Sequence, residues 1–318
     1  MMLPWQPAGE ALAARLAQHQ IVALGEVHWT GQPYDWLCDW LATPGHADLL
    51  DTLVVEFGNG RHQAVLDAYL AGEAVSEAAL RAVLQDALFG LTWSHPAYLR
   101  LLACLRQLNQ ARPARRRIRV CLAEAPFDWQ APDLAQAWQR ALARREDDYY
   151  HCVQRQVLAP GRRALLLFGA FHLRRRGETS PQLAQHILDP LGARLARQLG
   201  EQIYFIWPHF TADPALNHAL TESQAQGQGP RLCHLAGTSL AQQIFGLLHP
   251  RLPSDQRLGE LTDGYLDLGD LPRRQQLPTD WLADGTWCRE IWRRARALPT
   301  DAGQALQQQL QRLGIQDN

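Results

Sequence analysis

Ile21-Val22-Ala23-Leu24 runs into Gly25-Glu26-Val27-His28, and Ala164-Leu165-Leu166-Leu167-Phe168 runs into Gly169-Ala170-Phe171-His172. Between them, Leu53-Val54-Val55 ends at Glu56-Phe57-Gly58, and Ile118-Arg119-Val120-Cys121-Leu122 leads to Glu124. Short apolar runs of this kind, separated by helical stretches, read as strands of a parallel α/β sheet. The carboxyl ends of such strands converge on one edge, where ligands bind. Two Gly-x-x-His words and two acids arriving at that edge predict a polar site, and with it an enzyme.

The rest of the chain supplies the flanking helices. Residues 9–20 place Leu12, Leu16 and Ala17 on one helical face. A second helix starts near Pro33, a residue suited to a first turn, and carries a stripe of Trp36, Leu37, Trp40 and Leu41. Strands are predicted at 21–25, 52–57, 117–123, 163–169 and 202–207, with a further one at 264–269. The stretch 60–110 reads as three helices, broken around Gly72, at 90–94 and at Pro113. A long helix is predicted over 131–157, with Glu146-Asp147-Asp148 as a solvated face, and another after Ser180-Pro181, with Ser180 as its N-cap. Residues 221–231 read as a linker-like surface loop, and two helices at 286–297 and 300–313 close the chain against the sheet. Without repeats or a second core, residues 1–318 read as one α/β domain with a largely parallel central sheet flanked by helices.

Composition excludes several classes. Hydrophobic residues make up 47% of the chain and charged residues 20%, ordinary for a globular protein. All 31 basic residues are Arg, yet the net charge is −1 and no basic stripe runs along the chain, which argues against nucleic acid as a partner. The six cysteines are scattered with no Cys-x-x-Cys pair, so neither a zinc ribbon nor a disulfide scaffold is expected. No run approaches the roughly 20 apolar residues of a membrane span, and the first residues lack the charged and apolar regions of a signal peptide. The expectation is a cytoplasmic protein with no membrane partner.

Glu26 and His28 alternate along extended backbone and so reach the same side of a strand end. A carboxylate beside an imidazole can orient one ring nitrogen so that the other acts as a base near neutral pH; both can instead hold a divalent ion. The bland alternative is that His28 caps a helix or bonds a carbonyl. Glu56 closes an apolar strand, where a bare carboxylate is costly; it is either an active-site acid or the partner of Arg61. Glu124 and Asp128 either line the site or cap the helix after Pro132. Arg61 and Arg174 are candidate binders of a carboxylate or phosphate on the substrate, and Trp29 is a candidate substrate contact whose bland alternative is core or rim packing. No Gly-x-Ser-x-Gly elbow and no phosphate-binding loop is present.

Taken together, "IVALGEVHWTGQPYDW", "TLVVEFGNGRHQ" and "ALLLFGAFHLRRRG" resemble the superfamily that groups the erythromycin esterases, the ChaN-like haem-uptake proteins and the Tiki peptidases. The likeness runs over most of residues 20–210, and "DGYLDLGD" resembles a late strand of the same group. It implies an esterase-like role for Glu26, His28, Glu56 and His172 around a cleft, with a His-activated water attacking an ester. The esterases place two residues between the first Glu and His, whereas here only Val27 intervenes. The Tiki branch carries two Gly-x-x-His words and a divalent metal.

Three functions are therefore expected to compete. The first is hydrolysis of an ester, lactone or amide-like bond in a small-molecule or peptide substrate, with His28 as base oriented by Glu26. The second is a hydrolase using Mn, Co, Zn or Fe held by His28, His172, Glu26 and Glu56, and the third is a non-catalytic haem or iron protein. All three place the tips of Glu26, His28, Glu56 and His172 within about 10 Å of one another.

Overall fold

The computed structural model describes residues 3–178, 188–211, 213–218, 229–249, 254–269 and 277–316. Its centre is an eight-stranded sheet: β1 (Trp5–Pro7), β2 (Ile21–Glu26), β3 (Thr52–Asn59), β4 (Arg119–Glu124), β5 (Ala164–Gly169), β6 (Ile203–Pro208), β7 (Arg231–His234) and β8 (Gly264–Asp267). The order across the sheet is β1-β7-β8-β6-β2-β5-β3-β4. Only β7 runs against its neighbours, pairing antiparallel with β1 and β8. The other pairings are parallel.

Alternation along each strand decides what lies above and below. Val22, Leu24, Leu53, Val55, Val120, Leu122, Leu165 and Leu167 bury on one face, and Ile21, Ala23, Val54, Cys121, Leu166 and Phe168 on the other. Both faces are covered, so the strands are apolar throughout, as parallel strands must be when helices pack on both sides. On the first face lie α1 (Ala8–Gln18), α2 (Gln32–Ala42), α3 (Gln63–Ala71), α4 (Glu77–Gln85) and α5 (Ala97–Gln110), joined by α8 (Gly285–Ala297) and α9 (Thr300–Arg312). On the second lie α6 (Leu134–Val153), which runs on into one π-turn to Leu158, and α7 (Leu191–Leu199).

The same parity sends the strand-end acids to opposite faces. Glu26 follows Val22 and Leu24 toward α2, whereas Glu56 follows Val54 toward α6. Caps fix the helices that carry their partners. Asp133 accepts a hydrogen bond from the Gln136 amide at the start of α6, at 3.1 Å, and Asp284 caps α8. From α8, Arg294 reaches back to Asp86 at 2.6 Å and to the Gln85 carbonyl at 2.8 Å, pinning the segment that leads past Leu88.

The five predicted strands and the late one are present within a residue or two, and the helices expected in 9–20, 60–110, 131–157 and at the C-terminus are present with ends shifted by up to about three residues. Two strands escaped the sequence reading. β1 has three residues and β7 four, too short for a periodic signal, and β7 begins at Arg231, inside the stretch expected to be linker. The predicted helix after Pro181 and the Ser180 cap lie outside the described residues. No helix among the described residues is long and apolar enough to cross a membrane.

Gly25 shows how tightly the central strand is held. A Cβ there would lie 2.8 Å from Pro208 Cδ and 2.9 Å from Ala170 Cβ, the residues that leave the two neighbouring strands. Overpacking of this kind costs about 1–3 kcal/mol. Gly25→Ala is expected to lower the melting temperature by several degrees; an unchanged melting temperature would show that the edge around Gly25 is loosely packed.

Candidate active site

The first half of the site is built on β2 and the helix after it. Glu26 leaves the strand on the α2 side, and its Oε1 meets His28 Nδ1 at 2.5 Å. The Tyr34 hydroxyl, one turn into α2, donates to Glu26 Oε2. Both oxygens of a carboxylate whose side chain is only 1% exposed are thereby used, while the His28 side chain remains 30% exposed. The Trp93 ring meets the imidazole edge-on, 4.8 Å between centroids, and fixes its plane. With Nδ1–H directed at Glu26, the neutral ring presents a lone pair at Nε2. Burial works against a charged His28, but Glu26 and then Glu56 outweigh it, and the pKa lies above its usual 6.5.

The second half lies on the α6 side. Glu56 Oε1 accepts from Arg145 Nη2 at 2.5 Å and lies 3.3 Å from His172 Nε2; Oε2 accepts the Gly169 amide at 2.6 Å. His172 is held from behind by Glu146, whose Oε1 is 2.5 Å from Nδ1 and whose Oε2 accepts the Leu191 amide at 2.7 Å. Burial alone would raise the Glu56 pKa, but His172 and Arg145 hold it well below the usual carboxylate range. Burial likewise opposes charge on His172, yet Glu56 and Glu146 raise it to about 9. With a carboxylate facing each ring nitrogen, at 2.5 Å from Nδ1 and 3.3 Å from Nε2, His172 is held toward its charged form and is poorly placed to serve as a base.

The halves meet across Gly169. A Cβ at this position would lie 2.9 Å from His28 Cε1, 3.0 Å from His28 Nε2 and 3.1 Å from Glu56 Oε2. Any side chain here would separate His28 from Glu56. In both Gly-x-x-His words, then, the glycine is needed for close approach, although neither Gly25 nor Gly169 adopts a left-handed backbone.

Among the described residues, Glu26, His28 and Glu56 form a group with ligand atoms within 4.8 Å of one another, the spacing a metal ion would use. His172 is not in it. Each carboxylate oxygen of the group already accepts a hydrogen bond or faces a ring nitrogen, and Glu56 is neutralised by a guanidinium. Only His28 Nε2 lacks a hydrogen bond among the described residues. An ion held by this group would have to share the carboxylate oxygens with the hydrogen bonds from Tyr34, Arg145 and the Gly169 amide and would displace the Glu26–His28 contact or use His28 Nε2.

The remaining sequence candidates fall at varied distances from this centre. Glu124 is buried, with Oε1 accepting the Leu88 amide at 2.9 Å. Arg61 pairs with Asp128 at 2.7 Å on the surface, both side chains 55% exposed, so the cation that neutralises Glu56 is not Arg61 but Arg145. Arg174 is fully buried, bonded to Glu178 at 3.0 Å and to the Phe171 carbonyl. Trp29, half-buried, has φ +66°, a left-handed conformation that costs a large side chain about 1 kcal/mol or more. It follows His28 directly, in a turn that the Thr30 hydroxyl closes on the Val27 carbonyl at 2.7 Å.

Three contributors were missed by the sequence reading. Arg145 and Glu146 lie in a charged helical run that looked solvated, and Tyr34 in a helix read for its apolar stripe. An inward-facing charge on a helix is visible in sequence only as a charge placed on the apolar arc, and here the arc is interrupted by Arg144-Arg145-Glu146-Asp147.

No family model matches the sequence, and no curated protein sequence matches it. The fold does match solved structures. A protein from Bacillus cereus superposes with a TM-score of 0.54 at 14% identity, covering 84% of this chain and 92% of that one. An erythromycin esterase variant in its open conformation gives 0.53 at 13% identity, covering 85% and 98%. A succinoglycan biosynthesis protein gives 0.50 at 12% identity, over 81% and 90%. The chain has the erythromycin esterase-like α/β fold, as its strand-end motifs led us to expect.

The raised His172 pKa has a consequence for stability. Because the folded value lies above the unfolded one, the stabilisation is complete below 6.5 and is lost as pH rises through about 9. The melting temperature should fall across this window, and His172→Gln should flatten that fall. An equally steep decline in the variant would show that His172 is not charged in the native protein.

Proposed function

We propose that this protein is a hydrolase that cleaves an ester, lactone or amide-like bond, with His28 as general base. One observation carries the reading: the single solvent-facing member of a buried acid–imidazole network is His28, with Nδ1 fixed by Glu26 and Nε2 open beside Gly169. A water lying against Nε2 would give up a proton as its oxygen attacks the acyl carbon. The imidazolium so formed is stabilised by Glu26, as the ring's raised pKa already reflects. Collapse of the tetrahedral intermediate returns the proton to the departing oxygen or nitrogen. Glu56, locked between Arg145 and His172, stays ionised and defines the wall against which water and substrate are placed.

The test is hydrolysis of a panel of p-nitrophenyl esters and aryl lactones. General-base catalysis contributes about 10²–10⁴-fold, so His28→Asn should lose that much rate with its melting temperature within about 2 °C of the parent. Because the neutral ring is the active form, the rate should climb through a pKa above 6.5. A variant that unfolds as it loses activity, or a wild-type protein inert toward the whole panel, would overturn the proposal.

The network's occupied oxygens also bear on metal dependence. Mn²⁺, Co²⁺ or Zn²⁺ should leave the melting temperature unmoved, and EDTA should leave the rate unmoved. A metal-induced rise in melting temperature that disappears in Glu26→Gln would establish the metal-dependent alternative.

A further inference from the structure

Glu124 is a fourth carboxyl beside a cluster that already holds more acids than cations. Glu56 and Glu146 face the cations Arg145 and His172, while Glu26 is held by His28 and the Tyr34 hydroxyl. Glu124 ends β4 on the α4 side, opposite Asn59 on β3. Its Oε1 takes the Leu88 amide, and its buried Oε2 has no hydrogen-bond partner among the described residues. The groups that face it are Arg145 on α6, Glu56 on β3 and the backbone of the Leu88 segment. The nearby Asp86 is committed to His62 and Arg294. Arg145 gives Nη2 to Glu56, packs its guanidinium on Phe89 and Tyr149, and keeps a buried Nε with no partner. An ionised Glu124 would be a buried charge with no cation of its own, and the nearest one is the cation that holds Glu56. Leaving a buried carboxylate unpaired is costly enough that the group takes up a proton instead.

We propose that Glu124 sits in this site as a neutral carboxylic acid, and that its proton keeps Arg145 on Glu56, so that losing the proton draws Arg145 away and sets an alkaline limit on the site. Glu124 is a positioning residue acting through Arg145. Burial is the main force that raises its pKa, to about 8, only partly offset by Arg145 and the Leu88 amide.

The function of the site rests on the hydrolase reading above; the protonation of Glu124 does not, and it is measured separately. In protein labelled with ¹³C-glutamate, infrared spectra should show a protonated-carboxyl band at pH 7 that is absent from Glu124→Gln and disappears by about pH 9. No such band at pH 7 would overturn the proposal. Folded carboxyls with raised pKa lose their stabilising contribution as pH rises from 4.5 toward about 8. The melting temperature of the wild type relative to Glu124→Gln should therefore fall over that range, and parallel curves would count against the proposal. On a p-nitrophenyl ester, the wild-type rate should begin to decline near pH 8 and the Gln variant only nearer 9, where His172 loses its proton; a limb at the same pH in both proteins would refute the link through Arg145. If no ester is turned over, the infrared band and the stability curves still decide whether Glu124 is neutral, and only the hydrolase reading falls.

Discussion

The Glu56 carboxylate, buried at the end of a central strand and held between Arg145 and His172, is the constraint on which the site depends. A carboxylate in that position needs more than one compensating interaction, and it receives three: a guanidinium, an imidazolium and the Gly169 amide. Each comes from a different element, so the charge ties β3, β5 and α6 together at the sheet's carboxyl edge. The tie extends outward through His172 to Glu146 and the start of α7. Removing one partner from such a pair usually costs about 3–5 kcal/mol, because a bare charge is left behind. A second tie of the same kind, the buried Arg231–Asp267 pair at 2.9 Å, joins β7 to β8 at the other side of the sheet.

Two imidazoles that look equivalent in sequence are given different tasks by their surroundings. Both end Gly-x-x-His words and both contact a carboxylate through Nδ1. His172 also meets Glu56 through Nε2 and is buried, so it is a fixed cation. His28 keeps Nε2 open and part of its ring in solvent, so it is the one able to exchange protons with solvent. The difference follows from sheet parity: Glu56 points toward the face that carries α6, and His28 approaches only because Gly169 has no side chain to keep it away.

Much of this was legible in the chain. The apolar runs at 21–25, 52–57, 117–123 and 163–169 announced parallel strands, and their polar ends announced the edge where Glu26, His28, Glu56 and His172 meet. Motif resemblance pointed to the fold that the solved structures share. What was not legible is which charged residues turn inward. Arg145 and Glu146 belong to a run that a helix shows equally well to solvent, and only the packing of α6 over the ends of β3 and β5 selects its inner side. Arg61 was the nearer cation in sequence to Glu56, yet the turn after Asn59 carries it outward to Asp128. β7 was hidden because four residues carry no period and its Arg231 looked like a loop charge until paired with Asp267.

The account requires two histidines of opposite character in one network, and nuclear magnetic resonance of ¹⁵N-imidazole resonances across pH 5–10 measures this directly. His172 should remain doubly protonated at neutral pH and titrate near 9. His28 should titrate separately and, once neutral, carry its proton on Nδ1. A neutral His172 at pH 7, or a neutral His28 protonated on Nε2, would contradict the assignment of base and cation on which the whole reading stands.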